Sequence, residues 1–213
     1  MNRKLILQYL RNATLVVAGI LLFALFIHNP WPRKIIALGA LLASALLIAF
    51  TLRQDSLLQI VGIGRPSLRI LLFTLAALIL GIGLGILTRQ HFRLSLLPAT
   101  LSLVAAVAPL TGAMEELVFR GYIQGMLNPL NRFLALVYAA IAHTAYKVLV
   151  IYSLGRPEEF DFLFLAQWTL LGGLAFGFLR FLSKSIYPPV MAHVVFDILV
   201  YGGMFVAPYW IWS

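Results

Sequence analysis

The sequence predicts an all-α fold: a polytopic bundle of transmembrane helices, with about seven spans (six to eight) in one integral membrane domain over residues 1–213. Three observations predict it. The chain is 62% hydrophobic and 11% charged, against about 25% charged in a soluble domain, and its mean hydropathy is +0.97. Its apolar stretches run to roughly the 20 residues that cross a hydrocarbon core as a helix. Its basic residues gather in the short segments between those stretches, which sets topology and meets anionic lipid. The net charge of +9 therefore points to membrane lipid as a partner and not to nucleic acid. The absence of cysteine excludes disulfides and thiolate metal ligands.

Residues 12–28 form the first predicted span. Asn29-Pro-Trp-Pro-Arg33 follows it in place of a small-residue cleavage pattern, so it reads as a retained span and not as a signal peptide. Spans at 35–52 and 69–87 come next. Between them lies a polar loop, 53–68, with a short amphipathic piece at 55–61 and an interfacial turn at Gly62-Ile-Gly-Arg-Pro66. The fourth unit, 96–127, would be about 48 Å long as a straight helix, too long for one crossing. Pro109 and Gly112 predict a break within it, and Asn128-Pro129 ends it. The last spans are expected at 133–152, 161–182 and 186–206. Small residues four apart, Gly39/Ala43, Gly81/Gly85 and Gly173/Gly177, are expected where helices pack closely.

Loop charges orient the bundle. With the N-terminus inside, the inner segments carry nine basic residues (Arg3, Lys4, Arg11, Arg53, Arg65, Arg69, Arg132, Arg180, Lys184). The outer ones carry five (Arg33, Lys34, Arg89, Arg93, Arg156), together with Glu158, Glu159 and Asp161. The bias favours a cytoplasmic N-terminus.

Seven ionisable residues lie inside predicted spans and away from their ends: Glu115, Glu116, Arg120, His143, Lys147, His193 and Asp197. A charged group at membrane depth is a functional-site candidate whose partner must be found. These residues come from three helices, as a site between facing helices requires. Glu116 and Arg120 are four apart and share a face, so they are expected to pair. Glu115 is turned about 100° from Glu116, which leaves it for another task, and a buried carboxylate so freed suits a general base. His193 and Asp197 are also four apart, and Asp197 is expected to orient the imidazole. Lys147, four after His143, is expected to snorkel toward the interface and not to reach the site. Counted from the inner ends of their helices, Glu115, His143 and His193 lie about 18, 15 and 13 Å deep. They converge on one level.

These residues carry a resemblance. Glu115-Glu-Leu-Val-Phe-Arg120 resembles the first motif, EExxxR, of the CAAX prenyl protease and bacteriocin-processing (CPBP, or Abi) family of intramembrane proteases. The family's second motif, FxxxH, is matched by His143, with Ala139 at the Phe position and Tyr138 one residue early. Its last motif, a His followed four later by Asn, is matched by His193-Val-Val-Phe-Asp197, with Asp in place of Asn. The resemblance covers roughly residues 96–200. It makes 96–206 the catalytic core helices and 1–90 the variable N-terminal spans.

The resemblance implies a polytopic endopeptidase acting on a membrane-associated protein or peptide. Glu115 and His143 would activate the attacking water, and His193 and Asp197 would stabilise the oxyanion. Glu116 and Arg120 would support the site. An ionised Asp accepts hydrogen bonds only, so the donor role falls to His193 and the orienting role to Asp197. No cofactor is required by this set, and the metal-free mechanism is the preferred reading. Glu115, His143 and His193 would also suit Zn2+ as a two-His, one-carboxylate set. The expected location is a prokaryotic inner membrane, with cleavage near the cytoplasmic side of a peptide precursor, regulatory membrane protein or leader. Two other classes compete: a non-catalytic immunity or scaffold protein that uses the polar cluster as helix glue, and a small proton-coupled transporter. A pure clamp needs one carboxylate and not two. A transporter would favour acids in both membrane halves, and they are not found.

Overall fold

The computed structural model describes residues 3–54, 57–155 and 161–205, and these are helical with no strand among them. Arg156, Glu158 and Glu159 of the predicted outer loop, the first two residues of the piece at 55–61 and residue 206 lie outside the described residues. Five helices are long and apolar enough to cross a membrane. They are α1 (Arg3–Phe26), α2 (Arg33–Gln54), α4 (Leu68–His91), α7 (Arg132–Ser153) and α8 (Phe162–Ser183). A short α3 (Leu57–Val61) lies in the loop before α4.

α1 starts well before residue 12. Leu5, Leu7 and Leu10 extend its apolar surface past Arg11, whose guanidinium bonds Asn12 Oδ1 at 3.2 and 3.3 Å. That contact lets one charge ride on an apolar helix. The fourth unit also differs from expectation. Residues 96–102 are not helical, and Ser102 caps α5 (Leu103–Glu116) by accepting from Ala105 N. The unit then runs unbroken to Leu127, about 37 Å at 1.5 Å per residue. Pro109 sits inside α5 without ending it. The irregularity falls later, as a π-helical segment over Leu117–Ile123 that leads into α6 (Gln124–Leu127). Such wide turns are frequent at functional sites.

α9 (Tyr187–Tyr201) is short, 15 residues, with Pro188 and Pro189 in its first turn. At about 22 Å it is well under the hydrocarbon thickness. Gly203, with φ +79°, follows its end. Both α4 and α5 pack along α9, α7 packs along α8, and α1 lies on α2 and α7. At Gly81 the approach of α4 to α9 is so close that a Cβ would stand 2.3 Å from the carbonyl oxygen of Ala192. Gly173 and Gly177 likewise face α7, against Ala140 and Leu136. Gly39 does not: nothing lies within 4 Å of its Cβ position, so that pair faces outward and its spacing carries no packing role.

The core is built from the π segment and α6. Phe119, Tyr122, Ile123 and Met126 pack with Val16 and Ile20 of α1 and Ala139 and Tyr146 of α7. Outside it, Leu42, Leu46, Phe50 and Ile79 are exposed, as a lipid-facing surface requires. This is an all-α membrane bundle whose widest turn sits directly after the paired glutamates.

Candidate active site

Glu115 and Glu116 end α5, where α7 and α9 meet it, and they diverge as their 100° separation requires. Glu116 turns fully inward and is 0% exposed. Its Oε1 accepts from Arg120 Nη1 at 2.9 Å and from His193 Nδ1 at 2.9 Å. Glu115 turns to α7. Its Oε2 lies 3.2 Å from His143 Nε2 and 3.9 Å from His193 Nε2. Its Oε1 lies 2.7 Å from Lys147 Nζ, an ion pair without the alignment of a hydrogen bond.

Arg120 ties the two layers together. Nη1 also reaches His143 Nδ1 at 3.0 Å, and the guanidinium carbon lies 5.9 Å from the centre of the Phe176 ring. Room for it is left by Gly173, whose Cβ would stand 2.9 Å from Nη2. These contacts fix the protons. A guanidinium only donates, so His143 Nδ1 must accept and its N–H is on Nε2, pointing at Glu115. An ionised Glu116 only accepts, so His193 Nδ1 carries a proton. His193 Nε2 then faces the gap between Glu115 Oε2 and Asp197 Oδ1, the latter 3.8 Å away.

Two sequence expectations are corrected here. Lys147 does not snorkel away: His143 and Lys147 are one helical turn apart on α7, and both point at Glu115. An ammonium at this depth finds a carboxylate closer than the interface. The carboxylate that holds His193 Nδ1 is Glu116 and not Asp197, because α9 crosses α5 with its first half against the glutamates. Asp197 stands one turn further along, and a Cβ at Gly112 would lie 2.3 Å from its Oδ2 and 2.8 Å from His193 Cδ2. The aromatic support expected from the FxxxH motif comes from elsewhere. Ala139 is buried in the core, and Phe119 lies against His143 with ring centres 4.7 Å apart.

A cavity of about 250 Å³ opens over this cluster, between α4, α7, α8 and α9. His143, Lys147, His193 and Asp197 form its polar floor. Leu84, Phe164, Trp168, Phe176 and Val200 make most of the wall apolar. Trp168 is fixed by its indole N–H, which donates to Thr88 Oγ1 at 2.7 Å, and Phe164 stacks on His91 at 3.5 Å. Phe92 and Asp161 mark the far end of the cavity. That is the end of the bundle opposite Arg3, and so the outer end if the loop charges orient the chain. Cleavage near the cytoplasmic side does not follow from this geometry. No motif points to Trp168 and Phe164 in the sequence, since they are ordinary aromatics in an apolar span.

The donor set does not fit a bound metal as it stands. His143 turns its Nε2–H, not a lone pair, toward Glu115, and Lys147 already occupies the carboxylate's other oxygen. Among the described residues no three His, Asp or Glu side chains are arranged to hold an ion. The arrangement supports proton transfer at Glu115, donation from His193 and Lys147, and shelter from bulk water.

Comparison with protein families gives one match. Residues 97–199 fit the profile of the type II CAAX prenyl endopeptidases, Rce1-like. That stretch begins just before α5 and ends within α9, so it includes every residue of the cluster. Neither the comparison with curated proteins nor that with solved structures gives a match.

Proposed function

From the match of residues 97–199 to the Rce1-like type II CAAX prenyl endopeptidases, we propose that this chain is a CPBP-type membrane protease that hydrolyses a peptide bond in a membrane-associated protein or peptide through a water activated at Glu115. The observation that carries this reading is the meeting of Glu115 Oε2 with His143 Nε2 and His193 Nε2, at 3.2 and 3.9 Å, directly behind the two histidines that line an apolar cavity.

The steps follow from the protons. Glu115 takes a proton from water as the water oxygen bonds to the scissile carbonyl carbon. His143 donates to the same carboxylate and holds it in position, with Arg120 fixing the tautomer. Negative charge moves to the carbonyl oxygen. The His193 imidazolium, with its Nδ1–H held on Glu116 and its Nε2–H free, and the Lys147 ammonium are the donors that meet it. The C–N bond then breaks, and Glu115 returns its proton to the leaving amine. The apolar wall suits an apolar side chain or lipid tail on the substrate.

The chain is a multi-pass membrane protein. Its loop charges favour an N-terminus on the inside, and a prokaryotic inner membrane is the location proposed for it. The test compares cells expressing wild type with matched cells expressing Glu115→Ala or His143→Ala, reading new peptide termini in membrane and secreted fractions by mass spectrometry. The termini should vanish in both variants while the folded protein stays in the membrane. Undiminished cleavage by purified Glu115→Ala would refute the assignment. Cleavage lost to a chelator and restored by Zn2+ would refute the metal-free mechanism alone.

A further inference from the structure

A second cavity, also about 250 Å³, lies at the other end of the bundle, where the turn after α3 meets the ends of α6 and α8 and the start of α7. Its chemistry is the reverse of the first. Arg132, Arg180 and Lys184 line it, the amides of Gln59 and Asn128 add polar groups, and no carboxylate among the described residues lines it.

Arg180 is the core of this arrangement. It is only 4% exposed. Its Nη2 donates to Ile60 O at 3.1 Å, and its Nε has no hydrogen-bond partner. The backbone is shaped to admit it: Gly62 has φ +78°, and a Cβ there would stand 2.3 Å from the guanidinium. None of the three cations is in an ion pair among the described residues. Burying a guanidinium without a countercharge is costly, so the site asks for an anion.

The other two cations point the same way. Arg132 is the first residue of α7, where the helix dipole disfavours positive charge. Helix stability therefore does not explain it. Lys184 caps α8 in the left-handed region at φ 59°, a position that glycine normally takes. Both side chains are exposed at the rim, and Arg180 is at the base. A planar fork with two flexible cations around it is a fit for a tetrahedral oxyanion.

We propose that this cavity binds a phosphate-type anion, either the headgroup of an anionic phospholipid or free phosphate. The proposal is independent of the protease reading.

The test measures binding to the purified full-length protein in neutral detergent, with short-chain phosphatidylglycerol, short-chain phosphatidylcholine and inorganic phosphate as probes. Phosphatidylglycerol binding without phosphate binding assigns the lipid headgroup, and comparable phosphate binding assigns the free ion. Arg132→Ala with Lys184→Gly removes two rim charges without touching the core. It should weaken binding about tenfold or more, since a hydrogen bond to a charged group contributes about that factor or better. Arg180→Gln should weaken it further. Arg33→Ala, at the opposite end of the bundle, should leave it unchanged. Equal binding of the two lipids with none of phosphate overturns the proposal, and so does unaltered affinity in the double variant.

Discussion

Glu116→Gln alters a single functional group at the centre of the site and removes its charge. The wild-type oxygen Oε1 takes two charged donors, Arg120 Nη1 and His193 Nδ1, both at 2.9 Å and with no solvent contact at Glu116 or Arg120. Glutamine keeps the shape and one acceptor, but it leaves the Arg120 guanidinium without its compensating charge. Breaking one side of such a buried pair costs about 3–5 kcal/mol. In a chain of this size each kcal/mol moves the melting temperature about 2–4 °C. The expected drop is therefore about 6–20 °C, read by thermal unfolding in detergent. Glu115→Gln is the control. Its cation Lys147 lines the cavity and can recover hydration there, so this variant should melt much closer to wild type while losing cleavage. If Glu116→Gln melts within about 2 °C of wild type, or if the two variants melt alike, the division between a structural and a reactive carboxylate is wrong.

Three other perturbations follow from particular contacts. Gly112→Ala puts a methyl 2.3 Å from Asp197 Oδ2 and 2.8 Å from His193 Cδ2; since a displacement of about 1 Å can cost a hundredfold in rate, cleavage should fall about that far in a kinetic assay while the helix still forms. Arg89 ties the end of α4 to the end of α9 through Leu199 O at 2.8 Å, Gly202 O at 3.3 Å and Ser95 Oγ at 3.1 Å. Arg89→Lys keeps the charge but not the fork, and should cost about 2–3 kcal/mol in unfolding measurements. His28, in the turn after α1, bonds Ser153 Oγ at 2.8 Å, and burial, with Lys34 adding to it, holds its pKa below the ordinary value. The unfolded chain then binds the extra proton first, so stability is full above the ordinary histidine range and is lost as pH falls through it. His28→Asn should flatten that part of the pH–stability curve.

The site was readable in the sequence wherever charge and helical spacing decide geometry. Charges at membrane depth are too costly to be incidental, so Glu115, His143 and His193 stand out, and the structure brings both histidines within 4 Å of Glu115 Oε2. The separation of Glu115 from Glu116 followed from 100° per residue. What spacing does not give is the crossing of helices distant in sequence. His193 is oriented by Glu116, 77 positions away, because α9 packs along α5; the nearer Asp197 was the local choice and the wrong one. Lys147 posed a choice between interface and site, and only the position of α5 beside α7 decides it. The π segment left no mark, since Leu117–Ile123 reads as an ordinary apolar helix. Pro109 removes one backbone donor but does not end the helix, because α5 continues through it to Glu116.

The shortness of α9 bears on how water and a peptide meet inside a membrane. At about 22 Å it falls roughly 8 Å short of a 30 Å hydrocarbon core. A span that short is met by a dimpled bilayer or by headgroups drawn inward. Because α9 carries both His193 and Asp197, such a dimple would lie beside the groups proposed to react. Under the proposed function the aqueous boundary would come to the helix, and a substrate strand would need only to unwind at a depressed surface, not be dragged to the membrane centre. Hydrophobic mismatch would then be part of the enzyme's working geometry. Activity in reconstituted membranes should fall as acyl chains lengthen and the dimple becomes harder to form.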